Sequence, residues 1–288
     1  MLSAAPQPPL WHTARGPVSL GAPLFLGILN ITPDSMSDGG RFLAPDAAFA
    51  QAGHLLDLGA RVLDLGGEST RPGSAAVSPD QEWARLAPVL DGLARRHPEL
   101  PLSLDTRHPA VAARGLRTGV AILNDVTGFQ DPEMLRLATD GSCGLIAMRS
   151  RSLDGHLVMP PYDQPDPGQP EAAIRELAAV RDRLLAAGVA PERILLDPGF
   201  GFGTTGAGDE ALWAALARLP EALDWPVERF CLAVSRKRFL ARRAGTPALP
   251  PAGRDPLTAL AHGEALALGY RVFRTHAALL PEPPPCRP

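Results

Sequence analysis

Lysine is almost absent from this 288-residue sequence: 27 of its 28 basic residues are arginine, and the only lysine is Lys237. Charge of one sign is also lacking. A formal net charge of -3 leaves no basic footprint for a nucleic acid and no excess for an acidic membrane surface. Cysteine is limited to Cys143, Cys231 and Cys286, an odd number without C-x-x-C spacing, which argues against a disulfide framework or a zinc knuckle and for a reducing compartment. The sequence begins with neither a basic n-region nor an apolar h-region, and nowhere do 18 apolar residues run uninterrupted. These absences predict a cytoplasmic protein with no membrane and no nucleic-acid partner. Glycine (28) and proline (32) are plentiful but stay below the ~25–30% that marks low complexity.

What is present is a regular alternation. Hydrophobic residues make up 45% of the chain and fall into eight short apolar runs: FLGILNI (25–31), RVLDLGG (61–67), PLSLDT (101–106), AILNDV (121–126), CGLIAMR (143–149), RILLDPG (193–199), FCLAVSRK (230–237) and RVFRTH (271–276). Segments of helical periodicity, such as 46–58, 79–96, 171–187 and 257–268, separate them. Runs apolar on both faces suit a parallel sheet covered on both sides. Eight βα units in a chain of this length predict a single (β/α)8 TIM barrel over 25–276, flanked by an N-terminal extension (1–24) and a Pro-rich tail (277–288). The prolines of AALLPEPPPCRP leave room for no more than a shortened or missing eighth covering helix. The exposed flank would then be covered by the N-terminal segment, by another subunit, or by nothing. The polar, Pro-rich stretch 150–169 is longer than a plain connection and reads as a functional or mobile loop.

Barrel enzymes gather their active sites at the C-terminal ends of the strands. Here Asn30, Asp105, Asn124, Asp197, Lys237, and Arg274 with His276 end apolar runs. Any one of them reads as an ordinary helix cap. Together they would surround one pocket with two carboxylates, two amides and several cations, which suits a polar heterocycle carrying an anionic group. NITPDSMSDGGRF (30–42) and GGESTRPG (66–73) are too long and too rich in Ser, Thr and Asp to be minimal connections, although Pro-Asp and Gly-Gly also simply make turns. GFGTTG (201–206) fits G-x-G-x-x-G after a strand, the dinucleotide-binding pattern. The acidic residue that pattern needs is misplaced, because Asp224 precedes the next run instead of ending it.

The motifs GILNITPDSMSDGG, GGESTRPG, LDT, ILNDV, LLDPGFGFG, SRK and RTH, in this order over roughly 25–276, resemble the dihydropteroate synthases, the pterin-binding barrel enzymes of folate biosynthesis. The resemblance implies condensation of 6-hydroxymethyl-7,8-dihydropterin pyrophosphate with p-aminobenzoate to 7,8-dihydropteroate and pyrophosphate. It implies that Asp105, Asn124, Asp197, Met148, Gly201 and Lys237 hold the pterin. Asn30, Thr70, Arg71, Arg274 and His276 would receive the pyrophosphate, and Asn30 would also ligate Mg²⁺. Phe202, Ser235, Pro72 and Lys237 would contact p-aminobenzoate, where sulfonamides compete in the family. Lys237, Asp34, Arg274 and His276 would carry the catalysis, with Asp34 ordering the first loop over the reacting centre. A homodimer through the last helices is the family's usual assembly.

Several positions depart from the family pattern. Met36 stands where the first loop usually has Phe, and Ala233 where many members have Gly. MRSRSLDG replaces the usual Met-His-Met-Gln-Gly, TTGAGD lacks the usual Lys, and Ala-Ala follows His276. Rival readings are a pterin-dependent methyltransferase, a non-catalytic pterin-binding protein on a degenerated barrel, and the dinucleotide enzyme. The SRK, RTH and TPDS motifs weigh against the first, and the intact strand-end set weighs against the second. His54, His97 and His108 read as surface or core histidines.

Overall fold

The computed structural model describes residues 8–32, 45–69, 76–150, 152–153, 156–157, 163, 165–166, 169–277 and 280. Asp34, Met36, Thr70, Arg71, Pro72 and Cys286 lie outside them. The chain opens with a hairpin, β1 (Leu10–Thr13) and β2 (Gly16–Ser19), followed by β3 (Leu24–Asn30), α1 (Pro45–Asp57), β4 (Val62–Gly66), α2 (Pro79–Arg96), β5 (Leu102–Asp105) and α3 (Pro109–Arg117). Next come β6 (Ile122–Asp125), α4 (Pro132–Asp140), β7 (Gly144–Met148) and a small antiparallel pair, β8 (Ser152–Leu153) and β9 (His156–Leu157). The series closes with α5 (Glu171–Ala186), β10 (Ile194–Asp197), α6 (Gly206–Ala214), α7 (Leu219–Ala222), β11 (Cys231–Leu232), α8 (Arg238–Arg243), α9 (Asp255–Ala267) and β12 (Val272–Thr275).

Eight parallel strands form one sheet in the order β10-β7-β6-β5-β4-β3-β12-β11, and a parallel bridge between Leu196 and Phe230 links its two ends. This is the (β/α)8 barrel that the alternation predicts. The abundant proline is compatible with it because much of it starts helices: Pro45, Pro79, Pro109 and Pro132 each open one, where the missing N–H has no intrahelical partner to lose. Ser78 and Gln81 add a reciprocal capping box to α2.

Strand periodicity divides the apolar residues into two cores. Outward-facing Leu63, Leu65, Leu104, Leu123, Leu145, Leu196 and Phe273 bury against the helices. Inward-facing Leu24, Leu26, Val62, Ile122, Ile146, Leu195, Cys231 and Val272 fill the lower barrel, together with Trp11 of the hairpin. Trp11 is fully buried, and its indole N–H donates to the Arg193 carbonyl at 2.9 Å. The described part of the N-terminal stretch therefore plugs the bottom of the barrel, away from the flank beside β12. There, His262 of α9 packs on Phe273 and Phe25, at 4.6 and 5.7 Å between ring centroids. No helix follows β12 among the described residues.

The seventh run departs from expectation. Only Cys231–Leu232 of 230–237 is a strand. After Val234 the chain reverses: the Lys237 N–H returns to the Val234 carbonyl at 3.1 Å and Arg236 adopts a left-handed φ of 60°. Tertiary bonds hold that unfavourable conformation, with the Arg236 N–H on Thr258 Oγ1 and its guanidinium forked onto Asp255 at 2.6 and 2.7 Å. Lys237 consequently stands after a tight turn, not at a strand end.

Candidate active site

With the lower barrel filled by apolar side chains, most strands carry a polar residue at an inward position near their C-terminal ends. Register pairs Asn30 with Gly66, Gly66 with Asp105, Asp105 with Asn124, and Asp197 with Met148. Since alternate residues face inward, these side chains share the barrel mouth. Gly66 separates Asn30 from Asp105: a Cβ there would stand 3.7 Å from Asn30 Oδ1 and 3.6 Å from Asp105 Oδ2, so the glycine leaves two oxygens facing one gap.

Arg274, inward from β12, reaches across this mouth. Its Nε donates to Asp64 Oδ2 at 2.5 Å and its Nη2 to Asp105 Oδ2 at 2.6 Å. Burial works against its charge, but Asp64 and Asp105 more than offset that and push its pKa up. Asp64 Oδ2 also accepts from Asn124 Nδ2 at 3.1 Å, while Asp64 Oδ1 is buried without a hydrogen-bond partner. Such an orphan acceptor calls for an N–H or O–H donor in the mouth. Burial raises the Asp105 carboxyl to about 7, with Arg274 opposing. The same cause raises Asp197 to about 6, against the Gly199 N–H on its Oδ1 at 2.8 Å and the charge of Lys237.

The opposite side of the mouth is built around Lys237. Its Nζ lies 4.5 Å from the centroid of the Phe202 ring, a cation–π contact, and 3.4 Å from where a Cβ on Gly201 would be. Burial pushes its pKa down, and Asp209 and Asp197 pull it partly back. Asp209, itself buried at the start of α6, accepts from the Gly201 N–H at 2.8 Å and from Thr204 Oγ1 at 2.6 Å. A carboxylate thus already occupies the glycine turn that a dinucleotide phosphate would need, and GFGTTG serves as the wall of the lysine pocket.

Ser235 and His276 complete the rim. Ser235 Oγ accepts from the His276 N–H at 3.1 Å and lies 3.1 Å from Nδ1. Burial, then the charges of Arg236, Arg274 and Lys237, hold the imidazole neutral with its pKa down at about 3. Ser235 Oγ and His276 Nδ1 share one hydrogen between them. His276 enters the site as a neutral imidazole, not as one of the cations that its position suggests.

Of the sequence-derived set, Asn30, Asp105, Asn124, Met148, Asp197, Gly201, Phe202, Ser235, Lys237, Arg274 and His276 are brought to this mouth. Asp34, Thr70, Arg71 and Pro72 fall outside the described residues. The residues just before Thr70 are anchored: Glu68 forks onto Arg107 at 2.9 and 3.0 Å and accepts from the Val77 N–H, tying the two ends of that loop together. His108, read as a surface or core histidine, bonds buried Glu82 at 2.7 Å. Sequence reasoning missed three groups. Asp64 carried a signal, an acid in the middle of a run apolar on both faces. Arg149 ended the fifth run as a charge, and Asp209 carried only the weak signal of an acid in a first helical turn.

The comparisons with known proteins agree with this geometry. The chain belongs to the pterin-binding enzyme family, whose model matches residues 26–276. Within that family it groups with the dihydropteroate synthases, which are transferases. It is 41% identical over 273 residues to dihydropteroate synthase type-2 of Escherichia coli, covering 92% of each chain. The Burkholderia cenocepacia dihydropteroate synthase complexed with 7,8-dihydropteroate superposes with a TM-score of 0.78 at 34% identity, covering 95% of this chain and 93% of that one. The Xanthomonas albilineans enzyme with 4-aminobenzoic acid has the same TM-score and identity, covering 90% and 89%.

Proposed function

We propose that this barrel condenses 6-hydroxymethyl-7,8-dihydropterin pyrophosphate with p-aminobenzoate, and that its mouth divides into a pterin side, an anion side and an aryl-amine side. The observation that carries this division is the acceptor-rich row Asp64, Asp105, Asn124 and Asp197 facing Lys237 and Phe202 across one opening. An aminopyrimidinone edge offers parallel N–H groups, which a carboxylate accepts in pairs and an amide both accepts and returns. Asp105, Asn124 and Asp197 read that edge, with Met148 and Gly201 as apolar and backbone neighbours. The unpaired Asp64 Oδ1 supports a ligand donor at the bottom.

On the anion side stand Asn30, Arg274 and neutral His276, and the family pattern assigns Thr70 and Arg71 to the same anion. The chemistry breaks the bond from C9 of the pterin to the pyrophosphate oxygen and forms a bond from C9 to the amine nitrogen, which then loses a proton. No protein nucleophile is required. Arg274 and the neutral His276 stabilise charge developing on the leaving group. Lys237, with Phe202, Ser235 and Pro72, places the amine and stays close to the pterin, and Asp34 orders the first loop against water.

Mg²⁺ fits this arrangement. Among the described residues no group of three His, Cys, Asp or Glu forms a metal cage. The Asn30 oxygen beside Gly66 suits a hard cation that takes few protein ligands and completes its shell from phosphate and water. Bound there through Asn30, it would neutralise the leaving group. Calorimetric titration should therefore show the dihydropterin pyrophosphate binding at least about tenfold tighter with Mg²⁺ than without it. The unphosphorylated pterin alcohol should be indifferent to the metal, and metal-independent binding of the pyrophosphate would remove this part of the reading.

Exposed Leu260 and Leu268 on the last described helix support a homodimer through that face. Cys143 and Cys231, both buried and unpaired, support a cytoplasmic location. No helix among the described residues is long and apolar enough to cross a membrane.

A further inference from the structure

Within the loop between β10 and α6, the Phe202 N–H returns to the Gly199 carbonyl at 3.0 Å and the Gly201 N–H to Thr204 Oγ1 at 3.2 Å, which leaves the loop's remaining carbonyls to be held from outside it. Gly199, Gly201 and Gly203 all adopt left-handed φ angles, 70°, 75° and 73°, and so many glycines carry a large conformational freedom that folding must remove. Yet this loop supplies both Phe202, under the Lys237 ammonium, and the Gly201 backbone beside it.

One side chain gathers it from below. Arg149, at the end of β7, is fully buried. Its Nε donates to the Pro198 carbonyl at 2.7 Å, and its Nη2 to the carbonyls of Gly199 at 3.2 Å and Phe202 at 3.0 Å. Its Nη1 pairs with Glu176 of α5 at 2.6 Å. A planar fork can hold three carbonyls of one curled segment at once, which an ammonium on a single stem cannot. Gly199 is equally committed, since a Cβ there would lie 2.2 Å from the Arg149 carbonyl oxygen.

We propose that Arg149 is a positioning residue for the aryl-amine side of the site: it sets where Phe202 and the Gly201 backbone stand against Lys237, and Glu176 holds it in place. Asp105 and Asn124, on β5 and β6, lie outside this clamp, whereas Asp197 adjoins it through the Gly199 N–H on its Oδ1 at 2.8 Å. The inference rests on the division of the mouth described above, and it places a specificity-setting function on the segment MRS, where this chain departs from the family pattern.

The test uses the full chain as wild type, Arg149→Lys and Glu176→Gln, with three readouts. These are calorimetric affinity for the dihydropterin pyrophosphate, KM and kcat for p-aminobenzoate, and the acetylation rate of Lys237 by an amine-reactive reagent. Lys237 is the only lysine of the wild type, and peptide mass spectrometry separates its signal from the N-terminal amine and, in Arg149→Lys, from the introduced side chain. In Arg149→Lys, KM for p-aminobenzoate is expected to rise at least about tenfold and Lys237 to react several times faster, with pterin affinity falling by a clearly smaller factor than KM rises. Glu176→Gln, whose side chain is 31% exposed, should shift the same quantities less and in the same direction.

Unchanged KM and unchanged lysine reactivity would overturn the proposal. So would pterin affinity and KM worsening in parallel with a fall in melting temperature, the pattern of a merely structural residue. If Arg149→Lys does not fold, the same split or its absence in Glu176→Gln decides. Should the wild type show no turnover with p-aminobenzoate while the variants still alter Lys237 acetylation, the substrate assignment fails and the clamp stands.

Discussion

Lys237→Ala and Lys237→Arg should each lower kcat/KM by roughly 10²–10⁴ while leaving the circular-dichroism spectrum native. Alanine removes a charge that a low-dielectric pocket makes strong, since burial sets Lys237 beside Asp197 and Asp209 with Phe202 beneath it. Arginine keeps the charge but not the shape. The ammonium sits where even a methyl on Gly201 would come within 3.4 Å, and a wider, planar guanidinium cannot occupy that space without moving the glycine loop. Equal damage from both substitutions would show that position and compactness matter beyond sign. Turnover within about twofold of wild type in the arginine variant would remove Lys237 from the centre of the account.

Asp197→Asn should abolish pterin binding and stabilise the fold. The folded protein holds the Asp197 proton up to about pH 6, whereas the unfolded chain releases it near the ordinary aspartate value of ~3.9. A raised folded pKa means that the contribution to stability is fully present at low pH and is lost as pH rises through that window. By pH 8 the buried carboxylate costs on the order of 3 kcal/mol, from about two pKa units at 1.36 kcal/mol each. Asparagine keeps the Oδ1 acceptor for the Gly199 N–H and removes the charge, while Asp209 remains to balance Lys237. Differential scanning calorimetry should therefore show a melting temperature above wild type at pH 8 and little difference near pH 4. Pterin affinity should fall at least about 100-fold, because one acceptor oxygen becomes an NH₂ facing the ligand's own N–H groups. An equal melting shift at both pH values, or retained affinity, would contradict the assignment. The stability given up at this carboxylate is of the kind expected where a site is built for a ligand.

Much of this architecture is legible in the alternation of apolar runs. The barrel strands fall within one or two residues of those runs because parallel strands buried on both faces leave an unbroken hydrophobic signature. The polar residues ending them, from Asn30 to Asp197, are legible for the same reason: a charge or amide closing an apolar run stands out. The seventh run misleads, because Ala233–Lys237 has strand-like composition but its turn is enforced by Thr258 and Asp255, far along the chain. No local rule exposes a left-handed Arg236. The hairpin's role as a plug is hidden in the same way, since only the closed barrel creates the cavity that Trp11 fills. Arg149 and Asp209 act on carbonyls and N–H groups of a loop, and backbone partners leave no mark in sequence.

The most direct test of the central claim is release of pyrophosphate by the purified protein given 6-hydroxymethyl-7,8-dihydropterin pyrophosphate and Mg²⁺, with and without p-aminobenzoate, with product followed in parallel. The account predicts release that depends on p-aminobenzoate for sustained turnover and equals 7,8-dihydropteroate formed. Tight pterin binding with no pyrophosphate released under either condition would contradict it and leave a pterin-binding barrel without this chemistry.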